Sequence, residues 1–172
     1  MKNIELKVKT EHFQKLRGLL KKSGATREGV LLQTDVYFNS KLGRLKLRTI
    51  NNARSELIYY ERPNKSGSKL STYDRCVIAT DQIKALRGML KKACGESIVV
   101  IKKRELWIYK NTRVHLDIVR NLGAFVELET IIDKIIVSQA RAEQEEVIRL
   151  LDLSELSKIK WSYSNLLKKI GK

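Results

Sequence analysis

The chain has 172 residues, a formal net charge of +16 and an apolar fraction of 42%. This apolar fraction argues against a disordered chain, and the positive charge favours anionic partners such as nucleotides, polyphosphate, nucleic acid or acidic lipid. Cys76 and Cys94 are not at metal-ligand spacing, and no apolar run approaches the ~20 residues that span a membrane. We therefore expect a reduced, cytoplasmic protein that does not associate with membranes, folded as one domain over residues 1–172.

Polar and apolar residues alternate in several segments of the first half, which predicts strands because successive side chains of a strand point to opposite faces. The predicted elements are a strand, an amphipathic helix and three further strands, at residues 2–9, 11–22, 30–39, 44–50 and 57–62. The helix carries its apolar side chains on one side, at Phe13, Leu16, Leu19 and Leu20.

The second half repeats this order. The corresponding elements are predicted at residues 70–79, 82–93, 97–109, 112–120 and 124–131. Asp81 is the expected N-cap of the second helix, whose apolar side consists of Ile83, Leu86, Met89 and Leu90. Residues 86–92 closely copy residues 16–22, which indicates an internal duplication, although amphipathic helices rich in leucine and lysine also resemble one another by chance. The chain thus reads as eight strands in two βαβββ halves.

Two strands of the second half form a hairpin over residues 112–130, with a tight turn at 121–123. One face of this hairpin is charged and carries Arg113, His115, Asp117, Glu127 and Glu129. The other face is apolar and carries Val114, Leu116, Ile118, Val126 and Leu128. Two more helices are predicted at residues 138–151 and 161–169. If the four helices cover the apolar faces, the charged faces point inward, so we predict an α+β fold: an eight-stranded antiparallel β-barrel that encloses a charged tunnel, with helices packed outside.

The charges on these strand faces suit phosphate chemistry. Converging carboxylates bind hard divalent cations such as Mg²⁺ or Mn²⁺, and arginine and lysine bind phosphate oxygens. The candidate phosphate-binding cations outnumber what a single phosphate needs: Lys7, Lys46, Arg48, Arg62, Lys102 and Arg104. The reaction implied is phosphoryl or nucleotidyl transfer, catalysed by positioning and charge stabilisation.

Short motifs in the same order resemble those of the CYTH superfamily, the triphosphate tunnel metalloenzymes, which include class IV adenylyl cyclases and thiamine triphosphatase. The N-terminal motif is Asn3-Ile4-Glu5-Leu6-Lys7, which is similar to the family's E-x-E-x-K signature. The middle motifs are Gln33 to Phe38, Leu45 to Arg48, Tyr60 to Pro63 and Lys102 to Leu106. The likeness is strongest at His115 to Asp117, Leu122 to Phe125 and Glu127 to Glu129, and a late Ser162-Tyr163 also fits.

This resemblance implies a divalent-metal-dependent enzyme with Mg²⁺ or Mn²⁺ as cofactor and a small triphosphate as substrate. By motif, the metal ligands would be Glu5, Glu127, Glu129 and Asp117, and the catalytic residues Glu5, Asp117 and Lys102. The phosphates would be held by Lys7, Lys46, Arg48, Arg62, Lys102 and Arg104. Asn3 stands where the signature has its first glutamate, and because an amide brings no charge, a second metal site is in doubt.

Three functions remain open. We favour hydrolysis of a small triphosphate (inorganic tripolyphosphate, or a nucleoside or thiamine triphosphate), because nothing in the sequence identifies the purine pocket that the first alternative, an adenylyl cyclase, requires. The second alternative is a non-catalytic polyanion-binding protein. Lysine pairs near helix ends are explained by the helix dipole, so nucleic acid is not the expected partner. A zinc site at His115 and Asp117 is not expected either, since no further histidine or cysteine lies at ligand spacing.

Overall fold

A computed structural model describes residues 2–133 and 135–171. The strands of this part are β1 (Lys2–Lys9), β2 (Thr26–Phe38), β3 (Arg44–Ile50), β4 (Arg54–Glu61), β5 (Lys69–Ile78), β6 (Glu96–Tyr109), β7 (Thr112–Val119) and β8 (Gly123–Ile131). Its α-helices are α1 (Phe13–Lys22), α2 (Ile83–Cys94), α3 (Val137–Leu150) and α4 (Tyr163–Ile170).

The eight strands close into an antiparallel barrel in the order β1-β5-β4-β3-β2-β6-β7-β8. The strand β1 closes it, because β1 pairs with β5 on one side and with β8 on the other. Every strand of the barrel therefore has two hydrogen-bonded neighbours, and no strand edge is left open. The predicted fold class, with its two βαβββ halves and helices outside, is confirmed.

The apolar outer faces of the strands are covered very unequally. Helices α1 and α3 pack against β1, β6, β7 and β8. Together they bury a large core that includes Leu6, Phe13, Trp107, Leu128 and Val147. Over β2 and β3 lies α2, which covers a smaller cluster. The first core is the larger apolar anchor of the fold, since buried apolar area is the main stabilising contribution.

The two copied helices differ in how they pack. In α1, Phe13, Leu16 and Leu20 are buried, whereas no described residue of α2 is buried and its apolar side lies only partly covered. The prediction that Met89 lies on the buried side is wrong, since its side chain is 61% exposed. The N-cap prediction for Asp81 is also wrong, because a 3-10 turn over Thr80–Gln82 leads into α2 and no side chain caps the helix.

The strands β2 and β4 begin several residues earlier than the sequence predicts. In β2 the extra residues start at Thr26, and the register with β6 shifts between Arg27 and Gly29. In β4 they start at Arg54, directly after a turn in which Asn51 and Asn52 have φ angles of 50° and 54°. Asparagine tolerates this left-handed conformation, which fits tight hairpin turns. Both extensions are rich in polar residues and so give no hydrophobic alternation to detect.

The helix α4 packs against β6 on the outside of the barrel, and the side chain of Tyr163 in its first turn reaches the buried Asp117. Around Tyr163 pack Tyr37, Ile58, Tyr60 and Phe125 from the strands. A segment before α4 is held to β1, where the amide of Ile159 donates to the carbonyl of Lys7 at 2.7 Å. None of the helices in the described ranges is both long and apolar enough to cross a membrane.

Candidate active site

The charged strand faces point into the barrel, where they line one cavity. This cavity is lined by nine of the sequence-predicted site residues: Glu5, Lys7, Lys46, Arg48, Arg62, Lys102, Arg104, Glu127 and Glu129. The remaining one, Asp117, is fully buried and lies behind Arg104. The structure therefore brings together the whole predicted set, with Asp117 behind the cavity wall.

One side of the cavity is basic and is organised by a single buried carboxylate, Asp35. Its oxygens accept hydrogen bonds from Arg48 Nε at 2.7 Å and Nη2 at 3.0 Å, from Lys102 Nζ at 3.2 Å and from Lys46 Nζ at 3.4 Å. Burial alone would raise the pKa of Asp35, but Arg48, Lys102 and Lys46 outweigh it and hold that pKa well below its usual range. Three cations thus share one anion, so this side carries excess positive charge.

The pKa values of the two lysines on this side reflect both their burial and the excess positive charge. Burial and the neighbouring Arg48 lower the pKa of Lys46 to about 7, although Asp35 opposes this shift. Burial also lowers the pKa of Lys102, with Arg104 adding to the effect and Asp35 opposing it. A lysine whose pKa is depressed in this way gains its proton readily when an anion arrives. The basic side is therefore suited to binding a polyanion.

The other side of the cavity is acidic. Arg104 donates to both oxygens of Asp117, at 2.7 Å from Nε and 2.6 Å from Nη2, and its Nη2 also donates to Glu127 Oε2 at 2.6 Å. Glu127 accepts a further bond from Lys7, whose ammonium lies 3.9 Å from the centre of the Tyr163 ring. The Tyr163 hydroxyl donates to Asp117 Oδ2 at 2.9 Å. Asp117 thus fixes the Arg104 guanidinium and is itself fully occupied.

Two further carboxylates stand opposite each other on adjacent strands, Glu5 on β1 and Glu129 on β8. Arg62 Nη1 donates to Glu5 Oε2 at 2.7 Å. Glu129 Oε1 lies 3.8 Å from His115 Nδ1, which is beyond hydrogen-bond distance. Ligand atoms of His115, Glu127 and Glu129 lie within 4.8 Å of one another.

This donor set fits a divalent cation. Two carboxylates supply the oxygen ligands that such ions prefer, and the imidazole adds a nitrogen donor. Burial and the nearby Arg104 lower the pKa of His115 well below its usual range, so the ring is neutral. A neutral imidazole is the form that ligates metals.

Three residues of the site were not assigned a role from the sequence: Asp35, His115 and Tyr163. Asp35 lies directly opposite Arg48 in the β2–β3 register, so an inward-facing acid beside the alternating cations of β3 was a detectable signal. His115 was placed on the charged face with Glu127 and Glu129, but as a metal ligand it was considered only with Asp117, whereas in the sheet it lies opposite Glu127 of β8. Tyr163 is brought in by α4, and nothing local in the sequence indicates that contact.

A family model for the CYTH domain matches residues 1–163. The chain belongs to the CYTH family. Proteins of the CYTH family are generally enzymes, either cyclases or triphosphatases, and are in general metal-dependent. The acidic cluster of this CYTH chain agrees with that chemistry.

Relatives of this CYTH chain cover it almost completely. A protein of Methanocaldococcus jannaschii with the name "Putative adenylate cyclase" is 27% identical, over 96% of this chain and 98% of its own length. The solved structure of the PH1012 protein from Pyrococcus horikoshii is 25% identical with a TM-score of 0.82, covering 95% of this chain and 98% of that one. A conserved hypothetical protein from Pyrococcus furiosus has the same fold, with a TM-score of 0.79 at 22% identity over 95% of this chain and 99% of that one.

Proposed function

We propose that this CYTH protein hydrolyses a small triphosphate (inorganic tripolyphosphate, or a nucleoside or thiamine triphosphate) in a divalent-metal-dependent reaction. The observation that carries the proposal is the division of one cavity into a basic side built around Asp35 and an acidic side that includes Glu127 and Glu129. A triphosphate needs both, since its oxygens require cations along their length and a metal ion at the reacting end.

The cations of the cavity would bind the phosphate chain. Arginine forks contact two phosphate oxygens at once and lysine supplies a point charge. The proposed phosphate-binding residues are Lys7, Lys46, Arg48, Arg62, Lys102 and Arg104, all of which line the cavity. Lys102 also has a proposed catalytic role, stabilising the negative charge that develops in the transition state.

The proposed metal ligands are Glu127, Glu129 and Glu5, for Mg²⁺ or Mn²⁺. When bound, such an ion polarises phosphoryl oxygens and makes a coordinated water more acidic. The proposed role of Asp117 follows from its bonds to Arg104 and Tyr163, which leave it little capacity for direct ligation. It would act by holding the Arg104 guanidinium toward the cavity. Glu5, released from Arg62 when a phosphate takes that cation, would orient the attacking water.

The alternative is an adenylyl cyclase, which converts ATP to cyclic AMP and pyrophosphate. The name of the relative from Methanocaldococcus jannaschii favours it. Both reactions would use the same charged residues, but cyclisation also requires the base and ribose to be fixed so that the 3′-hydroxyl faces the α-phosphorus. Hydrolysis requires only a water in line with the terminal phosphorus. We prefer hydrolysis because the cavity residues already meet its requirements.

Product analysis distinguishes the two reactions. The protein is incubated with ATP or tripolyphosphate and with Mg²⁺ or Mn²⁺, and the products are separated; the variant Glu129→Gln serves as the inactive control. Hydrolysis predicts orthophosphate with ADP or pyrophosphate. Cyclic AMP and pyrophosphate as the main products from ATP would replace the hydrolase by the cyclase. No product from either substrate, with binding that needs no divalent ion and weakens steeply with salt, would indicate a polyanion-binding protein.

We also propose a cytoplasmic location and a small triphosphate as the principal partner. The free thiols of Cys76 and Cys94 support a reducing compartment.

A further inference from the structure

His115 occupies an unusual position for a buried histidine. It lies on the inner face of β7 with only 3% of its surface exposed. Its Nδ1 atom is buried and has no hydrogen-bond partner among the described residues. Leaving a buried polar nitrogen unpaired destabilises the folded state, so such an atom calls for a functional explanation.

The unpaired nitrogen is directed at two carboxylates. His115 Nδ1 lies 3.8 Å from Glu129 Oε1 and 4.0 Å from Glu127 Oε2. These separations exceed a hydrogen bond, so the three groups do not satisfy one another directly. They do match a shared cation, because metal bonds to nitrogen and oxygen are about 2.0–2.2 Å long and two such bonds span up to roughly 4.3 Å.

The neighbouring acids have other partners. Asp117 is bound by Arg104 and Tyr163, and Glu5 by Arg62. Glu129 Oε1, by comparison, lies 3.8 Å from the histidine nitrogen, close enough to share a cation with it. The unpaired His115 nitrogen therefore faces a carboxylate that could share a metal ion with it.

We propose that His115 Nδ1 is a direct ligand of the metal ion held by Glu127 and Glu129, and that this nitrogen makes the site prefer a divalent transition metal such as Mn²⁺ over Mg²⁺. The proposal rests on the metal dependence in the proposed function and adds a ligand and a selectivity to it. Imidazole binds transition metals well, whereas Mg²⁺ strongly prefers oxygen. An all-carboxylate site lacks this discrimination.

Pulsed electron paramagnetic resonance of the full-length protein loaded with Mn²⁺ alone tests the ligand directly. A coordinated imidazole gives electron spin-echo modulation from ¹⁴N, and this signal changes to the ¹⁵N pattern when the protein is labelled with ¹⁵N-histidine. The chain has only two histidines, His115 and the exposed His12. The matched control is therefore His12→Gln, which should keep the nitrogen signal, while His115→Asn should lose it.

The possible results of the resonance experiment distinguish the ligand proposal from the proposed function. A ¹⁴N signal that responds to ¹⁵N-histidine and persists in His12→Gln supports the proposal even if His115→Asn does not fold. Bound Mn²⁺ without a histidine signal would overturn it and leave the proposed enzyme standing. Failure of the wild-type protein to bind Mn²⁺ at all would overturn both.

Titration calorimetry with Mn²⁺ and Mg²⁺ measures the selectivity. Loss of a ligand or its support commonly weakens metal binding about 10–100-fold. We expect His115→Asn to lose Mn²⁺ affinity by about tenfold or more while its Mg²⁺ affinity changes little, so the ratio of the two constants falls. An equal loss for both ions would contradict the selectivity and indicate a purely structural role for His115.

Discussion

The two βαβββ halves of the barrel share one architecture but differ in the inner-face residues of two pairs of corresponding strands. In the first half, β3 places Lys46 and Arg48 on the cavity wall, whereas the inner face of its counterpart β7 carries His115 and Asp117, which are buried behind that wall. The last strands differ likewise, since β4 presents Ile58 and Tyr60 where β8 presents Glu127 and Glu129. The two halves therefore share the same backbone architecture, and the different residues on their inner faces contribute to the basic and acidic sides of the cavity.

The two sides also differ in how their charge is balanced. On the basic side, one carboxylate, Asp35, serves three cations. On the acidic side, several carboxylates share the cations: Glu127 pairs with Lys7 and Arg104, and Arg104 also pairs with Asp117. The basic side thus needs an anion from outside, whereas the acidic side offers a group of possible metal ligands at His115, Glu127 and Glu129. Four experiments probe this difference.

The largest effect is expected for Asp35→Asn. Removing one partner of a buried ion pair typically destabilises a protein by about 3–5 kcal/mol, because the remaining charges stay buried and uncompensated. Denaturant unfolding in phosphate-free buffer should show a loss of that size, and added tripolyphosphate should recover part of it. The control Asp152→Asn, which removes an exposed pair with Lys15, should cost under about 1 kcal/mol. Equal losses in the two variants would contradict the organising role of Asp35.

On the acidic side, Glu129→Gln should reduce turnover about 100-fold or more while the fold stays intact. The change is nearly isosteric, and a metal ion contributes several kcal/mol of transition-state stabilisation, at about 1.4 kcal/mol per tenfold. Steady-state kinetics with circular dichroism checks both parts. Glu145→Gln, on the exposed side of α3, should behave as wild type. A folded Glu129→Gln variant with full activity would remove this residue from the metal site.

Tripolyphosphate should raise the melting temperature of the wild-type protein. The buried cations of the basic side repel one another, and a ligand that binds only the folded state stabilises it by about 2.7 kcal/mol at one hundred times its dissociation constant. Orthophosphate at equal ionic strength should give a much smaller shift in a thermal denaturation assay. Equal shifts would mean a general anion effect without a dedicated triphosphate site.

The smallest expected effect is the uptake of protons when a polyanion binds. The pKa of Lys46 is about 7 in the free protein, and a bound polyanion raises it. Between the two values the complex holds more protons than the free protein, so binding near pH 8 takes up a proton and affinity falls as the pH rises above about 7. Calorimetry in buffers of different ionisation enthalpy measures this uptake. In Lys46→Arg, which stays charged, the uptake should be reduced by up to roughly one proton per site; an unchanged uptake would exclude Lys46 as its source.

Much of the barrel architecture follows from the sequence, because the alternation of polar and apolar residues specifies which face of a strand is buried. The charged face of β7 and β8 was predicted in full, and Glu127 and Glu129 lie on the inside accordingly. Residues 54–56 escaped detection, since Arg54, Ser55 and Glu56 give no apolar signal, although Glu56 is buried in the barrel. The contact of Tyr163 with the interior also escaped, because it depends on where α4 docks, which no local pattern contains.

The closing role of β1 has a consequence for how the chain folds. Glu5 on this first strand lies beside Lys69 on one side and Glu129 on the other. During synthesis the amino-terminal strand must therefore remain unpaired on one side until β5 has emerged and on the other until β8 has followed. Contacts between such distant parts of a chain form slowly, because long loops must close before any contact is gained. Until β8 has been made, β1 thus carries an unprotected edge, and this is the period when mispairing with other chains is most favoured.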